Sequence, residues 1–130
     1  MKTNLQTIKI VGKVTYGNGL GHRLGYPTAN IEPQAPLTGV AEGVWAGYAT
    51  VDGEDFWAVV NIGRSPSVVE GGRLRVEAHI IGFEGDLYNK ELCLKLLHHL
   101  RTEQKFPSKE ALVEQIARDK ARTIEILTQQ

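Results

Sequence analysis

Thr28 and Asn30 stand two positions apart behind Pro27, in the stretch LGYPTANIEP from Leu24 to Pro33. Pro27 fixes its own φ and pushes Tyr26 toward extended backbone, so the segment is stiff. If PTANI is extended, Thr28 and Asn30 project to one side, about 6–7 Å apart along the chain. A hydroxyl oxygen and an amide oxygen are neutral hard donors that Mg²⁺ accepts while phosphate oxygens complete its shell. In a turn, the same side chains would satisfy their own backbone instead. Both uses fit these two residues taken alone.

Three other constellations could carry chemistry. Glu77 lies mid-strand between Arg75 and His79, where a carboxylate can take a proton from a substrate hydroxyl or simply form a solvated ion pair of little worth. Arg101, Lys105 and Phe106 fall in LRTEQKF just before a helix. An Arg and an aromatic ring can enclose a flat heterocycle, although Phe106 could equally act as a staple against the core. In GNGLGHRLGYPTAN, Gly17, Gly19 and Gly21 could form an arch whose backbone N–H groups approach phosphates; a plain connection is the alternative. It is no dinucleotide fingerprint, because Pro27 stands where the helix would run, and it lacks the Gly-Lys-Ser/Thr of a Walker loop. Trp45 and Trp57 read as packing residues.

The elements that must position these residues are mostly strands. TIKIVGKVTY opens the chain as a strand, with Gly12 marking a bulge or a close backbone approach. Residues 17–39 hold five glycines and three prolines and read as one long ordered loop. Val44–Val51 and Phe56–Ile62 flank Asp52-Gly53, a hairpin signal. In RLRVEAHIIGF, Leu74, Val76, Ala78 and Ile80 alternate with Arg73, Arg75, Glu77 and His79, which gives one apolar and one polar face. GDLYN is a turn, and ELCLKLL puts Leu92, Leu94 and Leu96 on one side of a further strand. The period then changes. Ser108 is the expected N-cap of a helix carrying Val113, Ile116, Ala117, Ala121, Ile124 and Leu127 at helical spacing. Short strands followed by a single helix predict a small antiparallel barrel with a C-terminal helix.

Composition narrows the functional classes. The 130 residues fit one domain with a single core. Fifteen Lys and Arg balance fifteen Asp and Glu, which argues against a broad phosphate-backbone binder and predicts no nucleic-acid partner. Cys93 is the only cysteine, so neither an intrachain disulfide nor a thiolate metal cluster can form. His22, His79, His98 and His99 lack zinc-site spacing. No segment has signal-peptide character or approaches the ~20 apolar residues of a membrane span. A cytoplasmic monomer with no membrane contact is expected.

The ordered set GLGHRLGYPTANI, GVWAGYATV, NIGRSPSV, RVEAHIIGFEGDLY and LRTEQKFPSKEALVEQI resembles the riboflavin kinase family over nearly the whole chain. Pro-Thr-Ala-Asn with Val-Glu-x-His downstream is its specific part. The resemblance implies a single domain, residues 1–130, folded as a six-stranded antiparallel Greek-key barrel with a C-terminal helix. It implies transfer of a phosphoryl group from ATP to the ribityl 5′-hydroxyl of riboflavin, giving FMN and ADP. Mg²⁺, or Zn²⁺ or Mn²⁺ in its place, would assist.

Residue by residue, the resemblance assigns Thr28 and Asn30 to the metal, with Thr28 also on the nucleotide phosphates. Gly17 and His22 fall on a nucleotide-covering loop, Tyr88 on a second flap, and Glu77 on the general base. Arg101, Lys105 and Phe106 match the flavin-contacting loop. His22 stands where Arg or Lys is common, Ser67 where Thr is, and Asn89 where Gly is. None of these changes touches Thr28, Asn30 or Glu77, and an active enzyme is expected. The FMN adenylyltransferase domain that many bacterial relatives carry has no counterpart in this sequence, so FAD synthesis is not expected of it.

Overall fold

The computed structural model describes residues 8–15, 28–35, 37, 39–64, 74–102 and 104–129. Among the described residues, six strands and one helix follow in order: β1 (Ile8–Thr15), β2 (Ala29–Pro33), β3 (Gly43–Val51), β4 (Glu54–Arg64), β5 (Leu74–Ile80), β6 (Glu91–Arg101) and α1 (Lys109–Thr128). Every pairing is antiparallel, and the strands close into a barrel in the order β1-β2-β5-β4-β3-β6. Strands β3, β4 and β5 are sequential neighbours, and β6 returns to lie beside β3. That return is the Greek-key connection. Closure leaves no unpaired sheet edge.

The barrel exists because each strand alternates. Ile10 and Val14, Ala29 and Ile31, Val60 and Ile62, Val76 and Ala78, and Leu92, Leu94 and Leu96 are all buried and fill the interior. Their odd or even partners face outward. The Asp52-Gly53 hairpin forms as expected: Val51 pairs with Glu54, and both turn residues have positive φ, 51° and 82°. Two left-handed residues are what a type I′ turn needs. Gly12 marks a close approach, because a Cβ there would collide with the Glu32 carbonyl on β2. The β3–β6 register shifts between Val44 and Trp45 and again between Ala46 and Gly47, and such irregularities bend a strand around a barrel.

Two expectations are corrected. Residues 17–39 are not one continuous loop, since Ala29–Pro33 forms β2 and pairs with both β1 and β5. The helix does begin at Ser108, whose side chain accepts a hydrogen bond from the Ala111 N–H. Its fully buried positions, however, are Asp119, Thr123 and Leu127, while Ala117 and Ala121 are exposed. Alanine has little surface to hide, whereas Asp119 meets a charged partner beneath the helix. The helix packs on the outside of β3 and β4. Among the described residues, no helix is long and apolar enough to cross a membrane.

Candidate active site

Three polar residues form a row across adjacent strands. Asn30 on β2 is the register partner of Glu77 on β5, and Glu77 is in turn the partner of Asn61 on β4. Their chain neighbours Ala29, Ile31, Val76, Ala78, Val60 and Ile62 point into the core, so all three side chains stand on the outer surface. Neighbouring strands lie about 4.8 Å apart, which brings the Glu77 carboxylate within side-chain reach of both amides. The Asn30 backbone is steadied from its other side, where Thr15 Oγ1 donates to its carbonyl oxygen at 3.5 Å. Asn30 lies within the extended segment Ala29–Pro33, which Thr28 directly precedes; Pro27 lies outside the described residues.

The Glu77 side chain retains 22% exposure and lies 3.7 Å from Arg75 Nε, which is 42% exposed. An ion pair this open and this long is weak, so the carboxylate stays available to a ligand. Asn61 Oδ1 is buried with no hydrogen-bond partner among the described residues. An acceptor in that condition calls for an explanation, and nothing in the motif reading had singled it out. Its one legible signal was position, at the head of NIGRSPSV.

An open groove of about 810 Å³ begins beside this row. Thr15, Thr28 and Asn30 form one wall, the turn from Gly82 to Tyr88 forms another, and His79 and Lys120 complete it. Thr28 directly precedes β2 and lines the same groove as Asn30. Tyr88 is 47% exposed. Its N–H donates to Asp86 Oδ1 at 2.9 Å, an Asx turn that shapes the tip. The next residue, Asn89, has φ 71° and donates its N–H to the Val14 carbonyl at 3.0 Å. Asparagine thus supplies the left-handed backbone that glycine would otherwise give, and this turn is anchored to β1. Glu77 itself lies at the groove's border, outside its lining.

Arg101, Lys105 and Phe106 occupy a different part of the surface. Arg101 ends β6 and lies in the same cross-strand row as Glu77, reached through Asn61 and Val44. Three strand spacings separate the two, on the order of 14 Å along the barrel. The Arg101 guanidinium donates to both carboxylate oxygens of Asp119, at 2.8 and 3.1 Å, and lies 5.7 Å from the Phe106 ring centroid. Gln115 Nε2 adds a third hydrogen bond to Asp119 at 3.0 Å. Lys105 is exposed. Arg101 and Phe106 therefore do meet, but the guanidinium is committed to the helix. Asp119 escaped the sequence reading because a carboxylate on a helix ordinarily faces water.

The structure thus brings Asn30 and Glu77 together, places Thr28 and Tyr88 across one groove, and sets the Arg101–Phe106 pair apart. Gly17, His22 and Ser67 lie outside the described residues. No cluster of three or more His, Cys, Asp or Glu among the described residues could hold a metal. A divalent ion here would depend on neutral oxygens and on oxygens brought by the ligand.

Residues 5–127 match the family described as Flavokinase: Riboflavin kinase. A bifunctional riboflavin kinase/FMN adenylyltransferase of Pseudomonas fluorescens is 39% identical over 116 residues, covering 87% of this chain and 36% of the relative. The RNA-binding riboflavin kinase RibR of Bacillus subtilis is 36% identical, covering 85% of this chain and 47% of the relative. The chain thus spans between about a third and a half of the length of these curated relatives. Among solved structures, a riboflavin kinase from Trypanosoma brucei superposes with a TM-score of 0.68 at 26% identity, over 97% of this chain and 83% of that one. A Streptococcus pneumoniae structure described as a macrolide-efflux protein gives 0.84 at 28% identity, over 90% of this chain and 38% of that one.

Proposed function

Since the chain belongs to the riboflavin kinase family, we propose that it phosphorylates the ribityl 5′-hydroxyl of riboflavin with ATP, yielding FMN and ADP. The observation that carries the reading is the cross-strand pair Asn30–Glu77 at the border of the groove shared by Thr28 and Tyr88. Phosphoryl transfer passes through a loose transition state that asks mainly for alignment and charge neutralisation. A residue held in a β-ladder is suited to alignment, because its backbone is fixed from both sides.

In this reading Glu77 accepts the proton of the terminal hydroxyl as that oxygen bonds to the γ-phosphorus and the bridge to the β-phosphate breaks. ADP leaves with the electron pair of the broken bond on its terminal phosphate oxygen. A base must lie within about 3 Å of its proton donor in the working complex, so the substrate's terminal hydroxyl must reach the outer surface of β5 at Glu77. The Arg101–Phe106 end of the row, on the order of 14 Å away, is then where the flat ring would rest. Phe106 offers a face there, Lys105 an exposed cation, and Arg101 holds the ring of Phe106 in place.

Thr28 and Asn30 are the residues that would hold a divalent ion. The fit rests on their donor chemistry: two neutral oxygens lining one groove leave room for the phosphate oxygens that Mg²⁺ prefers. When bound, the ion supplies positive charge against the transferring phosphoryl group. Gly17 and His22 are assigned to the nucleotide cover, and Tyr88 to the opposing flap. We read the chain as a cytoplasmic monomer acting on small molecules. A barrel without a free edge supports the monomer, and a formal net charge of zero supports small molecules over a nucleic-acid backbone as ligands.

The direct test is incubation of the purified chain with riboflavin and MgATP, with products separated by chromatography. FMN and ADP should appear in equal amounts. Glu77→Gln should lower turnover about 10²–10⁴-fold while riboflavin and ADP still bind. Full turnover by that variant would remove Glu77 from the chemistry.

A further inference from the structure

The groove that contains Thr28 and Asn30 has an uneven charge. Two carboxylates, Glu84 and Asp86, are in its lining, and Lys120 is the one formally cationic side chain among the described lining residues. Lys120 comes from α1, an element to which neither motif nor spacing had given a part in the chemistry. It is half-buried. Its neighbour Asp119 is tied to Arg101 on β6. Successive helical positions diverge by about 100°, so with Asp119 turned toward β6, the next side chain is delivered to the groove.

We propose that Lys120 is a nucleotide-binding residue whose ammonium contacts a phosphate of the nucleoside triphosphate in this groove. The proposal rests on the reading that the groove takes the nucleotide. A polyphosphate brings several negative charges beside Glu84 and Asp86, and Thr28 and Asn30, being neutral, cannot offset them. A divalent ion compensates part of that charge, and a lysine supplies a mobile point charge on a flexible stem that can follow the phosphate as it moves. The helix position is held independently of the ligand by the bidentate Arg101–Asp119 pair. The cation is therefore in place before the nucleotide arrives.

The test compares the full chain with Lys120→Met and Lys120→Arg by calorimetric titration of ATP, ADP and adenosine in the presence of Mg²⁺, with riboflavin titrated separately. Methionine keeps the length and the helix propensity but removes the charge. Lys120→Met should weaken ATP and ADP by about 10-fold or more, as loss of a charge-assisted hydrogen bond does. Adenosine and riboflavin should change by no more than about twofold, the scatter of an innocuous surface substitution. Lys120→Arg should restore most of the phosphate affinity.

Unchanged ADP affinity in Lys120→Met would overturn the proposal and leave Lys120 as a counter-charge to Glu84 and Asp86. An equal loss for adenosine and ADP would overturn it as well, because the effect would then be on the shape of the groove. If the unmodified chain binds neither ATP nor ADP, the nucleotide reading of the groove fails, and the assignment of Lys120 fails with it. Tight ADP binding by both proteins sinks the Lys120 assignment alone.

Discussion

Asn30 and Thr28 both offer a neutral oxygen, one an amide carbonyl and the other a hydroxyl, with different anchoring. Asn30 has register partners on both sides, Thr15 and Glu77, so its side chain leaves from a fixed backbone. Thr28 sits one residue before the strand. Precision at Asn30 matters more if the role is to place charge against a transferring phosphoryl group, since misplacement by an ångström costs catalysis heavily. Asn30→Leu keeps the side-chain volume close and removes the oxygen. Turnover at saturating riboflavin should fall about 10²–10³-fold, the scale on which fixed polar groups act on developing charge. Urea denaturation should move by no more than about 1 kcal/mol, since the residue is half-exposed. Loss of stability in step with activity would mean that Asn30 merely supports the strand. The Pro27-Thr28-Ala29-Asn30 corner was legible at this scale because residue types and a spacing of two are local facts. The meeting of Asn30 with Glu77 was not, as it depends on pairing strands 47 positions apart in sequence.

The helix shows what local signals can and cannot reveal about an element. Ser108 as N-cap and the start of α1 follow from capping chemistry, and both are present. Which face is buried follows from what lies beneath, and beneath it Arg101 ends β6. The pair is bidentate, with side-chain exposures of 20% for Arg101 and 8% for Asp119. Removing the carboxylate would strand a mostly buried guanidinium, a change worth about 3–5 kcal/mol in comparable cases. Asp119→Ala is therefore expected to lower stability by about 3 kcal/mol. It should also weaken riboflavin binding, because Phe106 rests against the same guanidinium at 5.7 Å. Denaturant titration and flavin fluorescence measure the two effects separately. If flavin affinity is untouched in the folded variant, Arg101 and Phe106 do not form the ring site. Sequence reasoning could find Arg101 but not Asp119, because the helical pattern rewards apolar periodicity and a buried ion pair leaves no periodic trace.

For the whole molecule the deciding feature is closure. Alternation in each strand implied a two-faced sheet, yet only long-range register joins β1 to β6 and completes the ring. β6 is the closing strand, paired with β1 on one side and β3 on the other, and Leu94, with partners on both, is fully buried. A cavity at Leu94 touches strands from both ends of the sheet order, and the surrounding backbone, held in ladders on both sides, has little freedom to collapse into it. Leu94→Ala should accordingly cost about 2–5 kcal/mol, a large share of the ~5–15 kcal/mol that holds an ordinary domain folded. The helix lies on β3 and β4 and is tied to β6 through Asp119, so barrel and helix should unfold together. Urea denaturation followed by both far-ultraviolet dichroism and tryptophan fluorescence should give coincident single transitions, with the midpoint lowered and the slope unchanged. Two separated transitions, or a loss below about 1 kcal/mol, would mean that the ring is not closed through Leu94 in solution. The row from Asn30 to Arg101 would then lose the scaffold that aligns it.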